Sequence, residues 1–259
     1  MSCHIPKPVL FSRKLLVSVC LGGVVALAGC FPDSAQSYVQ RAKESAAAGD
    51  VYGAARFAEK AVELGFDHPK IKTLHAVYRY QSGETERSLA ILKPVAREQN
   101  GNFQVQYFYG WFLSEEGRYA EALEPLRKAH GLVPDDADNL ALLVRCTLEQ
   151  NLLHEGRKYI AALRRLPSYK EEAVLDNALG ILAVGHGRYE EAGRHFQKAL
   201  QQQPGNVAIL QNLAVLHDRY MRQPRLARRY YMYCIAQAQQ IGNDRKAAEL
   251  QQRLRQLAR

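Results

Sequence analysis

The chain has 259 residues, 47% of them hydrophobic and 24% charged, and a formal charge of +9. Its 18 Gly and 10 Pro are too few for a collagen-like or disordered chain. A single short apolar run excludes a polytopic membrane protein. The basic excess is local: from Gly187 onward there are 13 Lys/Arg against 5 Asp/Glu, whereas residues 30–186 hold 19 against 21.

The N-terminus reads as an address. Met1–Lys14 carries Lys7, Arg13 and Lys14 and no acid, and Leu15–Leu27 is an apolar run of 13 residues. A spanning helix needs about 20 apolar residues, so the run fits the core of a secretory signal. It ends in Leu27-Ala28-Gly29-Cys30, which resembles the lipobox of bacterial lipoproteins. The resemblance implies that residues 1–29 are a signal peptide cleaved between Gly29 and Cys30. It also implies that the Cys30 thiol, the best nucleophile among small side chains, carries the lipid. Several acyl chains then hold the protein to a membrane, each buried CH₂ adding about 0.8 kcal/mol. The competing reading is an uncleaved anchor with Cys30 an ordinary thiol. Phe31, standing where that family often has Asp for inner-membrane retention, implies an outer-membrane location facing the periplasm. Residues 30–34 leave only a short linker. Cys3 and Cys20 depart with the signal, leaving Cys146 and Cys234. An exported protein could pair them; their helix-packing positions suit two buried thiols.

From residue 35 to residue 240 the sequence repeats itself. Small or medium residues recur at Ala42, Ala76, Gly110, Val144, Gly180 and Ala214, at spacings of 34, 34, 34, 36 and 34. A second series falls at Ala54, Ser88, Ala122, Gly156, Ala192 and Ala227, and a third at Ala61, Val95, Ala129, Leu163, Ala199 and Cys234. Bulkier residues lie between those two: Leu92, Leu126, Ile160, Phe196 and Tyr231, with Ala58 the small exception. Gly49, Gly83, Gly117, Asn151 and Gly187 mark turns, being residue types that tolerate the left-handed conformation. Two copies carry the fullest pattern: Tyr109-Gly110 … Gly117-Arg118-Tyr119 … Ala122 … Leu126 … Ala129 … Pro134, and Leu179-Gly180 … Gly187-Arg188-Tyr189 … Ala192 … Phe196 … Ala199 … Pro204. This pattern is similar to the tetratricopeptide repeat.

The resemblance implies an all-α, right-handed superhelical solenoid of about six helix-turn-helix repeats. Small residues would sit where helix A crosses helix B, bulky ones in the remaining holes, and no hairpin could bury its apolar face alone. Residues 241–259, with Asn243-Asp244 before Leu250, Leu254 and Leu257, read as an amphipathic capping helix. Repeat four departs from the pattern with extra residues around Leu166-Pro167-Ser168-Tyr169. Repeat six replaces the turn glycine by Met221-Arg222-Gln223-Pro224 and is one residue long.

In that family, helix-A positions two, five, nine and twelve line a concave groove. Carried onto this chain, they place Tyr80, Gln104, Tyr107, Trp111, Arg145, Asn177 and Gln211 in it. Aromatic, amide and cationic groups suit an extended peptide or an amphipathic helix from a partner protein, and Trp, Tyr and Arg dominate binding hot spots. Trp111 and Tyr107 also fit a role as core between neighbouring repeats. The related carboxylate clamp is not expected, because its lysine positions do not match.

Arg219 to Tyr233 interleaves arginine with Tyr, Leu and Met. An export address argues against nucleic acid. A solvated helix face with cation–aromatic packing, or contact with an acidic partner or anionic lipid, both fit. No His-Glu-x-x-His, Cys-x-x-Cys, Gly-x-Ser-x-Gly or phosphate-binding loop is present. The expectation is therefore no catalysis, no metal and no cofactor. The chain reads as a lipid-anchored scaffold of the bacterial envelope that binds other envelope proteins. Resemblance to pilotins and to the lipoprotein of tight-adherence (Flp) pilus machines, including Asn212-Leu213-Ala214 … Arg228-Arg229-Tyr230-Tyr231, points to type IV/Flp pilus or secretion assembly. An adaptor for cell-wall or outer-membrane biogenesis is the alternative, and an enzyme with a noncontiguous site the second.

Overall fold

The computed structural model describes residues 34–257 except 168, 170 and 171. The signal peptide, Gly29 and Cys30 lie outside the described residues. The described chain is all helix. It comprises α1 (Ala35–Ala47), α2 (Val51–Glu63), α3 (Pro69–Gln81), α4 (Thr85–Glu98), α5 (Phe103–Glu115), α6 (Tyr119–Leu132) and α7 (Ala137–Glu149). There follow α8 (Leu153–Arg165), α9 (Glu172–Gly185), α10 (Tyr189–Gln202), α11 (Val207–Val215) with a π-helical turn (Leu216–Tyr220), α12 (Pro224–Gln240) and α13 (Asp244–Gln256). Residues 34–139 form one compact unit and residues 140–257 another.

Local chemistry explains the boundaries. Several A helices start on a polar side chain that satisfies an orphan N–H. Ser34 accepts from Ser37 N, Asn102 Oδ1 from Val105 N at 3.3 Å, and Asn206 Oδ1 from Ala208 N and Ile209 N. Pro69 opens α3 at its first turn, where no N–H is needed. Helix A ends in a left-handed residue. At Gly117, φ is +74°, its N–H donates to Ser114 O, and the next N–H, of Arg118, reaches back to Leu113 O at 2.9 Å. Asn151 does the same work at φ +57°. Pro134 and Pro204 follow the last turns of α6 and α10, which they cannot continue.

Packing follows the repeat. Ala42, Ala54, Ala61, Ala76, Ala122, Ala129, Ala192, Ala199, Ala214 and Ala227 have no exposed surface, and neither do Leu92, Leu126 and Phe196. Within residues 34–139 each helix packs on the next, and A helices α3 and α5 also touch directly. Within residues 140–257, α9 pairs with α10, α11 with α12, and α13 closes over α12. The cap buries Ala247 and Leu250 against Tyr231, Cys234 and Ile235, with Leu254 and Leu257 partly covered. Cys146 and Cys234 are both buried and not joined in a disulfide. Burial pushes the Cys234 thiol up to about 12, so it stays protonated and packs as a small apolar group.

The two departures from register have structural answers. Six residues, 166–171, separate α8 from α9, against four, 203–206, between α10 and α11. The surplus residue of repeat six is absorbed in the π-turn: Met221 N donates to Leu216 O, five residues back, at 3.0 Å. Arg222 then takes the left-handed position at φ +52° that glycine holds elsewhere.

The first unit also buries charge. Arg79 on α3, its side chain 7% exposed, reaches Glu59 of α2 at 2.5 Å and Glu84 at 2.6 Å. Its Nε donates to His75 Nε2 at 3.1 Å, which requires that nitrogen to be unprotonated. Burial, then the Arg79 and Arg87 cations, outweigh Glu59 and Glu84 and hold the His75 pKa down at about 4. The unfolded chain therefore takes up a proton below its ordinary value of 6.5 while the native protein does not. This group should remove about 3 kcal/mol of stability as pH falls from 6.5 to 4, and nothing further below that. Urea unfolding across this range should show a smaller loss for His75→Gln than for the parent. An equal loss in both would refute the assignment.

Candidate functional site

The A-helix residues singled out from the sequence divide between the two units. In the first, α3 and α5 bring Tyr80, Tyr107 and Trp111 together. Tyr80 lies flat on Phe112, the ring centroids 3.9 Å apart and the planes within 3°. Its ring is 6.0 Å from Trp111. Trp111 in turn meets Phe112 at 5.3 Å, Phe108 at 6.0 Å and Tyr107 at 6.1 Å. Burial ranks these rings. Phe112 and Phe108 are core, Tyr107 is only 7% exposed, and Tyr80 and Trp111 are half-buried. Burial, with Asp138, Asp136 and Glu115 nearby, raises the Tyr107 phenol well above its ordinary pKa, so it remains a neutral hydroxyl. Gln104, on α5, is exposed. The result is an aromatic shelf. Core rings fix Tyr80 and Trp111 from below, and Gln104 stands two turns before Trp111 on the same helix. Such a shelf offers rigid apolar area with little conformational entropy left to lose.

In the second unit Arg145 on α7, Asn177 on α9 and Gln211 on α11 are all buried, at 4%, 0% and 7% exposure. Asn177 Oδ1 accepts from Asn212 Nδ2 at 2.9 Å, tying α9 to α11. Asn177 Nδ2 and Gln211 Oε1 are buried and have no hydrogen-bond partner among the described residues.

Two features escaped sequence reasoning. One is the ring support under the shelf: Phe108 and Phe112 are at ordinary core positions, and only the side-by-side packing of α3 and α5 makes them its floor. The other is a knot on Asp218, whose side chain is 5% exposed. Asp218 Oδ2 accepts from Arg253 Nη2 at 2.7 Å, from Arg253 Nε at 2.9 Å and from Tyr231 Oη at 3.1 Å. It pins the cap to the π-turn. By the same repeat resemblance Asp218 is the twelfth helix-A position of repeat six, a groove position, and nothing in the sequence marked its pairing with Arg253. Among the described residues, no three His, Cys, Asp or Glu side chains converge to hold a metal, and no helix is long and apolar enough to cross a membrane.

The family model described as "Tetratricopeptide repeat" matches residues 73–137 and 177–228, where the hairpins α3–α6 and α9–α12 lie. Those two stretches are tetratricopeptide repeats. A tetratricopeptide repeat protein from Parabacteroides merdae is similar to it in structure, with a TM-score of 0.66 at 12% identity, over 87% of this chain and 93% of that one. YrrB, described as a tetratricopeptide protein with an unusual peptide-binding site, gives a TM-score of 0.60 at 19% identity, over 69% and 91%. PilW, described as a type IV pilus biogenesis factor, gives 0.54 at 18% identity, over 72% and 91%. At these identities the likeness is one of fold. No curated protein matches the sequence. Tetratricopeptide arrays bind peptides or other proteins in their grooves, and this repeat protein is an interaction scaffold of that type.

Proposed function

We propose that this tetratricopeptide-repeat protein is a lipid-anchored docking scaffold of the bacterial envelope, without catalytic activity, that serves assembly of a type IV/Flp pilus or secretion machine. The observation that carries the docking role is the pair of partly buried rings, Tyr80 and Trp111, held over the buried ring of Phe112. An apolar side chain of a partner segment can cover both rings while Gln104 pairs with its backbone. The anchor rests on the basic, apolar and lipobox residues that end at Cys30. The pilus assignment rests on the resemblance to pilotins and the fold shared with PilW. Tethering would hold a groove of modest affinity at high effective concentration beside its partner.

Trp111 is the single tryptophan, so it reports on its own site. In cells, crosslinking and co-purification should recover components of a pilus or secretion machine with the parent. Trp111→Ala should lower recovery about tenfold or more, as expected of an aromatic hot spot, while helicity and melting stay close to the parent. Cys30→Ser should move the protein out of the membrane fraction. Recovery of wall synthases or barrel-assembly proteins instead would replace the pilus assignment. Unchanged recovery by Trp111→Ala would remove the shelf from the interface.

A further inference from the structure

The outer face of α12 takes no part in the docking shelf. From Arg219 to Asn243 the chain carries five arginines (Arg219, Arg222, Arg225, Arg228 and Arg229) and no Asp or Glu. The fold determines which way they point. Ala227, Tyr231, Cys234, Ile235 and Ala238 form the buried side of α12, packed with α11 and α13 residues such as Leu210 and Leu250. On a helix of 3.6 residues per turn, the opposite stripe is then Arg225, Arg229, Tyr233 and Ala236, and all four are exposed.

Apolar groups stand on either side of that stripe. Leu226 is 40% exposed, Met232 55% and Tyr233 51%, and Ile241, one residue past the helix, is 66% exposed. Two acids on the flanking elements are already engaged. Asp218 is held by Arg253 and Tyr231, and Glu249 by Lys246. Arg229 lies over the Tyr233 ring, 5.8 Å from its centroid, and that contact leaves its charge uncompensated.

We propose that the outer face of α12 docks peripherally on an anionic phospholipid surface. Two observations favour lipid over an acidic protein. The face is a solvated helix ridge carrying both cations and bulky apolar side chains, which matches a plane of phosphates lying above acyl chains. Arg225 and Arg229 have no partner carboxylate among the described residues, and guanidinium binds phosphate oxygens bidentately. Leu226, Met232 and Ile241 would reach below the phosphates, with Tyr233 at the boundary. This contact depends on neither the Trp111 shelf nor the lipid on Cys30.

The test uses the full chain and sedimentation with vesicles of phosphatidylcholine alone or with phosphatidylglycerol added. The basic N-terminal residues contribute equally to parent and variant, so the difference between them isolates α12. Arg225→Gln with Arg229→Gln should cut the preference for phosphatidylglycerol by about tenfold or more at low salt, since each arginine near such a surface contributes on the order of fivefold. Arg225→Lys with Arg229→Lys should keep most of the preference. High salt should abolish the difference between parent and the Gln variant. Equal preference in the parent and the Gln variant would overturn the proposal. So would soluble polyglutamate that binds the parent more tightly than the vesicles do, with the same arginine dependence, because an acidic polypeptide would then be the partner. The changed residues are exposed, and unchanged melting of both variants verifies that the fold is intact.

Discussion

Gly180→Ala should destabilise the protein by about 1–3 kcal/mol, although alanine is the better helix former by up to about 1 kcal/mol. A Cβ built on Gly180 would lie 2.4 Å from Phe196 Cε1 and 2.5 Å from Cδ1. Phe196 has no exposed surface, so its ring has nowhere to go unless α9 and α10 separate. The same contact predicts a rescue. Phe196→Leu alone leaves a hole and costs about 1–2 kcal/mol, less than the loss expected of a full truncation to Ala. Combined with Gly180→Ala, the two changes should cost less than their sum, because the new methyl occupies part of that hole. Gly131→Ala is the control. Gly131 is exposed on α6 with nothing within 4 Å of its would-be Cβ, so the change should be neutral or stabilising. Chemical unfolding of the four variants decides the matter. If Gly180→Ala is as harmless as Gly131→Ala, the close A–B crossing is not what requires glycine.

Arg79→Ala is expected to cost about 2–4 kcal/mol, against at most about 1 kcal/mol for Arg87→Ala. Both arginines bridge Glu59 and Glu84, but the Arg79 side chain is 7% exposed and that of Arg87 53%. Losing Arg79 leaves both carboxylates only the exposed Arg87 and removes the donor to His75 from a site that water reaches poorly. Glu59 and Glu84 keep 29% and 32% exposure, and this hydration keeps the cost below that of a fully enclosed pair. Arg79 also holds the Glu84 carboxyl below its usual range, chiefly by its hydrogen bond. Letting that carboxyl rise toward its ordinary value in Arg79→Ala should shrink its share of the acid sensitivity. Urea midpoints for the two variants at neutral pH test the ranking. Equal losses would mean that the network is surface electrostatics and not a buried clamp.

The repeat reading carried far because periodic small residues answer one local requirement, the close crossing of two helices. Gly110, for instance, would place a Cβ 2.6 Å from Leu126. The surplus residue in repeat six was also legible as a count. Its accommodation as a π-turn, with Arg222 left-handed in place of a glycine, was not, because a loop insertion would have kept the same register. The candidate groove was legible only by position. Tyr107 and Trp111 sit one turn apart on α5 and are alike in the sequence, yet one is core and the other only partly buried. Asn177 matched a groove position too, and the fold closes it to solvent in a hydrogen bond with Asn212.

The amino-acid order by itself determined the helical hairpins, their turns and their small-residue crossings. Those depend on interactions within about one repeat, and the 34-residue period displays them six times over. Only the tertiary structure decided which aromatic rings remain accessible, which carboxylate each arginine meets and which face of α12 stays bare. Those depend on pairings such as Glu59 with Arg79 or Asp218 with Arg253, set by how neighbouring helices stack. Side-chain burial is a property of that stack, and no periodic pattern along one helix specifies it.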